Sequence, residues 1–197
     1  MTRKQWILTD VAAGVHVNEL WLKSDDLQVR AQGCEITKHT LRGGLCDGVE
    51  VIRVNNGRLS FDVLPTRGMG LWKARLDGAE IGWQSPVRGP VHPAFVPLME
   101  PSGLGWLDGF DELLVRCGLE SNGAPDFDER GKLVYPLHGR IANRPAHRIE
   151  VAVDREAGEI LVTGVVEETR FHFTKLRMTS RISTRIGEAA LQVHDEV

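Results

Sequence analysis

Runs that alternate apolar and polar residues with a period of two, each closed by a turn rich in Gly, Asn or Asp, dominate this chain and restrict it to antiparallel sheets. Residues 49–54 (VEVIRV) read as a strand, Asn55-Asn56-Gly57 as a tight turn and 59–63 (LSFDV) as the returning strand. Asn and Gly tolerate the positive φ that such a hairpin demands. A second hairpin follows at once, with 71–76 (LWKARL), Asp77-Gly78 and 79–83 (AEIGW). The pattern returns after residue 146: strands are expected over 147–153, 159–167, 171–184 and from 189 onward, with turns at 154–158 and 185–188. Residues 27–36 alternate loosely, like a half-buried strand, and the patches at 6–8 and 20–22 read as edge strands or a lead-in arm. Short strands at hairpin spacing with almost no helical period predict an all-β antiparallel sandwich with little helix.

Between the strands lie two punctuated stretches. Residues 84–104 hold five prolines, so they form neither an interior strand nor a helix. We expect an ordered loop crossing one end of the sheets. Residues 105–146 crowd polar side chains between glycines and prolines, the setting in which a rigid scaffold presents binding groups. Here His138, between Pro136-Leu137 and Gly139, is placed either to donate a proton near neutral pH or to make a structural hydrogen bond. Asp108, Asp111 and Glu112 either hold ligand hydroxyls or cap and flank a helical turn over 108–116. Arg116 either joins them in binding or pairs with them. Arg67, within Leu64-Pro65-Thr66-Arg67-Gly68, reaches a ligand oxygen or a carboxylate. Asn143 binds a hydroxyl or stabilises its own turn. Trp106 and Trp83 offer an apolar wall or core packing.

The remaining composition excludes more than it asserts. With 197 residues the chain suffices for one domain with a true core, and a formal charge of −3 gives no basic block for nucleic acid. No apolar run approaches the length of a membrane span, and the first residues lack a secretory pattern. Three widely spaced cysteines, Cys34, Cys46 and Cys117, fit free thiols in a reducing, cytoplasmic setting. No histidine or cysteine spacing points to a metal. Nucleotide-binding glycine motifs and serine- or metalloprotease signatures are missing.

Two motifs carry a family likeness. Residues 61–86, FDVLPTRGMGLWKARLDGAEIGWQSP, resemble the N-terminal signature of aldose 1-epimerase-like proteins, with the greatest similarity to the branch known as DUF4432. Residues 109–146, with GFDELLVRCGLESNGAP and YPLHGRIANRPA, look like the same branch, and the likeness covers most of 41–197. The resemblance implies a galactose-mutarotase-like β-supersandwich with a carbohydrate site, a small-molecule sugar as ligand and no cofactor. It implies interconversion of sugar anomers by acid-base catalysis. His138 would be the site's first histidine, and Arg67, Asp108, Asp111, Glu112, Arg116 and Asn143 would position hydroxyls. The run Arg140-Ile141-Ala142-Asn143-Arg144 also resembles one in galactose mutarotases, where it precedes the histidine; here it follows His138, and we give Arg140 no role. The family's second histidine and its glutamate base would lie beyond Val197. The expectation is therefore one domain over 1–197 that is the N-terminal portion of a longer sandwich. The alternative is a non-catalytic carbohydrate-binding or sensing protein on the same fold. A strand that stops mid-pattern at the C-terminus leaves a sheet edge through which copies could associate.

Overall fold

A computed structural model describes residues 3–197. The described residues run through fourteen strands: β1 (Arg3–Asp10), β2 (Val15–His16), β3 (Leu20–Lys23), β4 (Cys34–Thr40), β5 (Glu50–Asn56), β6 (Leu59–Leu64), β7 (Gly70–Leu76), β8 (Ala79–Ile81), β9 (Asp126–Phe127), β10 (Leu133–Tyr135), β11 (Arg148–Asp154), β12 (Glu159–Thr169), β13 (Lys175–Arg185) and β14 (Leu191–Glu196). They form two six-stranded sheets, ordered β14-β13-β12-β11-β1-β2 and β3-β4-β5-β6-β7-β8, and a separate β9-β10 ribbon. Every strand pair is antiparallel. Among the described residues, helix is limited to α1 (Ser24–Leu27) and short 3-10 turns. The all-β sandwich with little helix is thus what the chain adopts.

Alternation builds the core. Along β12 every second residue is buried, and Ile160, Val162 and Val166 face the other sheet together with Ile149, Val151 and Val153 of β11 and Met178 and Ile182 of β13. Ile36, Ile52, Val54, Phe61 and Val63 answer from β4, β5 and β6. Each such side chain contributes about 1.5–3 kcal/mol when fully buried. A smaller cluster of Val49, Val51 and Leu64, with Leu41 and Trp72 against it, lies on the opposite face of the second sheet, since Val51 alternates with Ile52.

The hairpin asparagine at 56 does more than turn the chain. Its Oδ1 accepts the Arg58 and Leu59 amides at 3.0 and 2.7 Å. Its Nδ2 lies within hydrogen-bond distance of Thr184 Oγ1, the Arg185 carbonyl and the Glu188 carbonyl, at 2.7, 2.7 and 2.9 Å. A turn residue thereby clamps one sheet to the other, and it is fully buried.

Several local expectations are corrected. β1 is no arm or edge, since it lies between β2 and β11. The loose alternation at 27–36 gives way to α1, a turn and the start of β4 at Cys34. Phe171, His172 and Phe173 sit in the β12–β13 turn, with His172 at φ 64°, and the strand begins only at Lys175. No helical turn spans 108–116. The 3-10 turn is Gly105–Gly109, and Asp108 lies inside it as an exposed residue that caps nothing. Residues after it form no helix and meet β7 in an isolated bridge: the Leu71 and Leu114 amides bond each other's carbonyls at 2.9 and 3.0 Å, and the Leu113 amide reaches the Trp72 carbonyl at 3.2 Å.

Candidate functional site

Two 3-10 turns meet at one end of the sandwich and place a buried arginine. The Pro65–Arg67 turn, which follows β6, abuts the Ile141–Asn143 turn that leads into β11. The Gly68 amide bonds the Arg144 carbonyl at 3.0 Å and the Ala146 amide bonds the Pro65 carbonyl at 2.9 Å. A Cβ at position 68 would stand 2.3 Å from the Ile141 carbonyl oxygen, and φ there is 58°, so only glycine allows this approach. Arg67, 1% exposed, donates from Nε to Glu112 Oε1 at 2.7 Å, from one terminal nitrogen to Asn143 Oδ1 at 2.5 Å and from the other to the Gly109 carbonyl at 2.9 Å. Glu112 is fully buried, and its Oε2 accepts the Asp111 amide at 3.0 Å. The arginine therefore ties three loops together, and its charge is balanced by a carboxylate that water does not reach.

The Gly105–Gly109 turn carries Trp106 to this network. Gly109 packs so closely on Arg67 that a Cβ there would lie 3.1 and 3.2 Å from the terminal guanidinium nitrogens. The Trp106 ring meets His138 edge-on at 4.8 Å and Phe110 at 4.9 Å, and Phe110 meets Trp83 at 5.0 Å. His138 itself occupies the left-handed region at φ 56°. Its amide donates to the Gly123 carbonyl at 2.8 Å and its carbonyl accepts the Gly118 amide at 2.9 Å. Three polar atoms of this neighbourhood are buried with no hydrogen-bond partner among the described residues: Trp106 Nε1, His138 Nδ1 and Asn143 Nδ2. Buried polar groups are normally paired, and an orphan costs about 1–3 kcal/mol. Two of the three are obligate donors, the indole N–H and the amide NH2. The arrangement suits a ligand rich in oxygen acceptors.

The other expected site residues lie elsewhere. Asp111 turns away from Glu112 and bonds Trp72 Nε1 at 2.8 Å. Burial pushes its carboxyl above the usual range, against the opposing pull of that hydrogen bond. Asp108 is exposed. Arg116, buried, grips β14 and β13: it bonds Asp195 Oδ2 and Oδ1 at 3.0 and 3.1 Å, Ser180 Oγ at 2.9 Å and the Met69 carbonyl. Burial raises the Asp195 carboxyl, and the hydrogen bonds from Arg116 and Ser180 more than reverse this, so it stays below the ordinary value. Of the expected residues, Arg67, Glu112 and Asn143 are bonded together, His138 joins them through Trp106, and Asp111, Asp108 and Arg116 do not. Sequence reasoning missed Asp195 and Ser180; only their register on paired strands, Ser180 opposite Asp195, would have signalled it. Among the described residues no group of His, Cys, Asp and Glu is placed to hold a metal ion, and Cys34, Cys46 and Cys117 are free.

The sheet order and the loops that cross its end define an aldose 1-epimerase-like fold. The structure superposes with a TM-score of 0.90 on the crystal structure of a "putative aldose 1-epimerase" from Klebsiella pneumoniae subsp. pneumoniae MGH 78578, at 35% sequence identity. The match covers 98% of this chain and 50% of that one, so the chain spans about half the length of its structural relative. The model of a domain of unknown function, DUF4432, matches residues 46–197, and the chain belongs to that family. No curated protein matches it. No helix among the described residues is long and apolar enough to cross a membrane.

Proposed function

We propose that the chain carries the proton-donor side of a sugar site for anomer interconversion, with His138 as the acid. The observation behind this reading is a set of unpartnered buried atoms: His138 Nδ1, Trp106 Nε1 on the ring His138 meets, and Asn143 Nδ2, tied to the Trp106 turn through Arg67. A sugar hydroxyl accepts from the indole and the amide. His138 gives a proton to the ring oxygen as the bond from that oxygen to the anomeric carbon breaks. A base takes the anomeric hydroxyl proton, the open-chain aldehyde turns about its first carbon–carbon bond, and both transfers reverse on closure. Only protons move, so the chemistry calls for no cofactor. Arg67 and Glu112 hold Asn143 and the Gly105–Gly109 turn in place, which makes them positioning residues.

The base is not assigned to this chain. Among the described residues no carboxylate hydrogen-bonds to His138, and the structural relative is twice as long as the aligned region. We assign the base to the portion of an aldose 1-epimerase-like fold that this chain does not span. The same observation favours a second reading, sugar binding without turnover.

Magnetisation exchange between the α and β anomeric protons of glucose, galactose and mannose separates the two. Faster exchange with the full-length protein that supplies the base, cut about 10²–10⁴-fold by His138→Ala, supports catalysis. Sugar binding with no faster exchange selects the second reading. Neither binding nor exchange rejects both.

A further inference from the structure

A cavity separate from the His138 neighbourhood opens between β7, β8 and the segment after them. It measures about 380 Å³, at the small end of the range for ligand sites, and Trp72, Trp83, Lys73, Arg88 and Asp111 line it. Both indoles are locked. Trp72 Nε1 donates to Asp111 Oδ2 at 2.8 Å and Trp83 Nε1 to the Glu112 carbonyl at 3.1 Å. Trp83 nevertheless remains 47% exposed, a rigid apolar plate turned to solvent. Such a ring gives contact area at little entropic cost to a ligand.

The polar groups are set for a hydroxylated ring. Asp111 spends one oxygen on Trp72, and its other oxygen makes no hydrogen bond among the described residues. Gly89 lets the neighbouring segment lie against this carboxylate, since a Cβ there would sit 2.5 Å from the Asp111 Cβ. Lys73 Nζ lies 4.7 Å above the Trp72 ring, and Arg88 pairs with no carboxylate among the described residues. Two cations, Lys73 and Arg88, are matched by two carboxylates, Asp111 and Glu80, so the lining favours a neutral polar guest over a net charged one. A flat apolar guest would leave Asp111 and Lys73 desolvated and unpaired. A sugar ring serves both: its C–H face covers an indole, one hydroxyl donates to Asp111 and others accept from Lys73 and Arg88.

We propose that this cleft is a second saccharide subsite, one that holds a pyranose ring without acting on it. It lies apart from His138, to which the ring contacts Trp83–Phe110, Phe110–Trp106 and Trp106–His138 lead at 5.0, 4.9 and 4.8 Å, and Trp83 also bonds the Glu112 carbonyl. The proposal shares with the reading above the premise that the ligand is a sugar, but not the premise of catalysis.

Methyl glycosides of glucose, galactose and mannose test it, because a locked anomeric centre cannot exchange. Ligand-observed saturation-transfer NMR and tryptophan fluorescence titration should show one or more of them binding to the wild-type protein and to His138→Ala alike. Trp83→Ala and Asp111→Asn should each weaken that binding at least about tenfold. Lys73→Met, on the solvent side of β7, provides the same test if Trp83→Ala disturbs Phe110. Binding by none of the three glycosides, or equal binding by wild type and all cleft variants, overturns the proposal. In the full-length protein, exchange without glycoside binding sinks the subsite alone, and glycoside binding without exchange sinks catalysis alone.

Discussion

Replacing Arg67 by methionine tests whether the arginine is a structural keystone or a ligand group. Met keeps much of the volume and removes the charge. Glu112, fully buried, would retain only the Asp111 amide, while Asn143 Oδ1 and the Gly109 carbonyl would lose their donor. Breaking a buried ion pair from one side costs about 3–5 kcal/mol. For a domain of this size each kcal/mol is worth about 2–4 °C, so the midpoint of thermal unfolding should fall by about 6–20 °C. Urea unfolding followed by circular dichroism supplies the free energy directly. Arg67→Met combined with Glu112→Leu should restore most of the loss, because both charges are then gone from the interior. The cycle of single and double variants isolates the coupling. A loss below about 1 kcal/mol, the range of surface pairs, would show that water reaches this network and would refute the burial argument.

Three further outcomes follow from the same geometry. Asp111 has a raised carboxyl pKa, so its ionisation disfavours the fold: its contribution is fully present below the unfolded value of about 3.9 and is lost as pH rises through the folded value. Asp111→Asn should thus be at least as stable as wild type at neutral pH, the gap closing in acid, and a clear loss of stability at pH 7 would contradict this. Asp195 behaves oppositely. Its depressed pKa contributes stability above about pH 4 that is lost as pH falls through the folded value, so the advantage of wild type over Asp195→Asn should shrink in acid titrations of unfolding. Gly139→Ala would set a Cβ 2.2 Å from the Gly118 carbonyl and 2.3 Å from that of Ser121, at φ 73°. We expect it to lower the unfolding midpoint and to shift the His138 side-chain NMR signals, and unchanged values for both would contradict the close packing of the two loops.

The hairpins β5–β6 and β7–β8 were legible because both their alternation and their turn chemistry are local. What needed long-range partners was not. β1 carries the same alternation as an edge strand, and only its pairing with β11, far along the chain, makes it interior. Phe171-His172-Phe173 imitates a strand while serving as a turn, since a left-handed histidine leaves no glycine as a sign. His138 stood out through its Pro and Gly neighbours, yet nothing local announced that Trp106 would meet it edge-on.

The adjacent acids Asp111 and Glu112 show where reading by residue type stops. In sequence they are a matched pair, which invites one role for both. In the fold, the amides of residues 113 and 114 both donate to the start of β7, and the side chains of 111 and 112 diverge. Glu112 therefore turns inward to Arg67, while Asp111 turns outward beside Trp72. Leu71 and Trp72 of β7 divide in the same way, one in the core and one at the cleft. The inward acid is neutralised and holds the loops. The outward one spends one oxygen on Trp72 and leaves the other at the cleft. The hydrogen bonds between residues 113–114 and β7 thus hold both the keystone and the cleft in place.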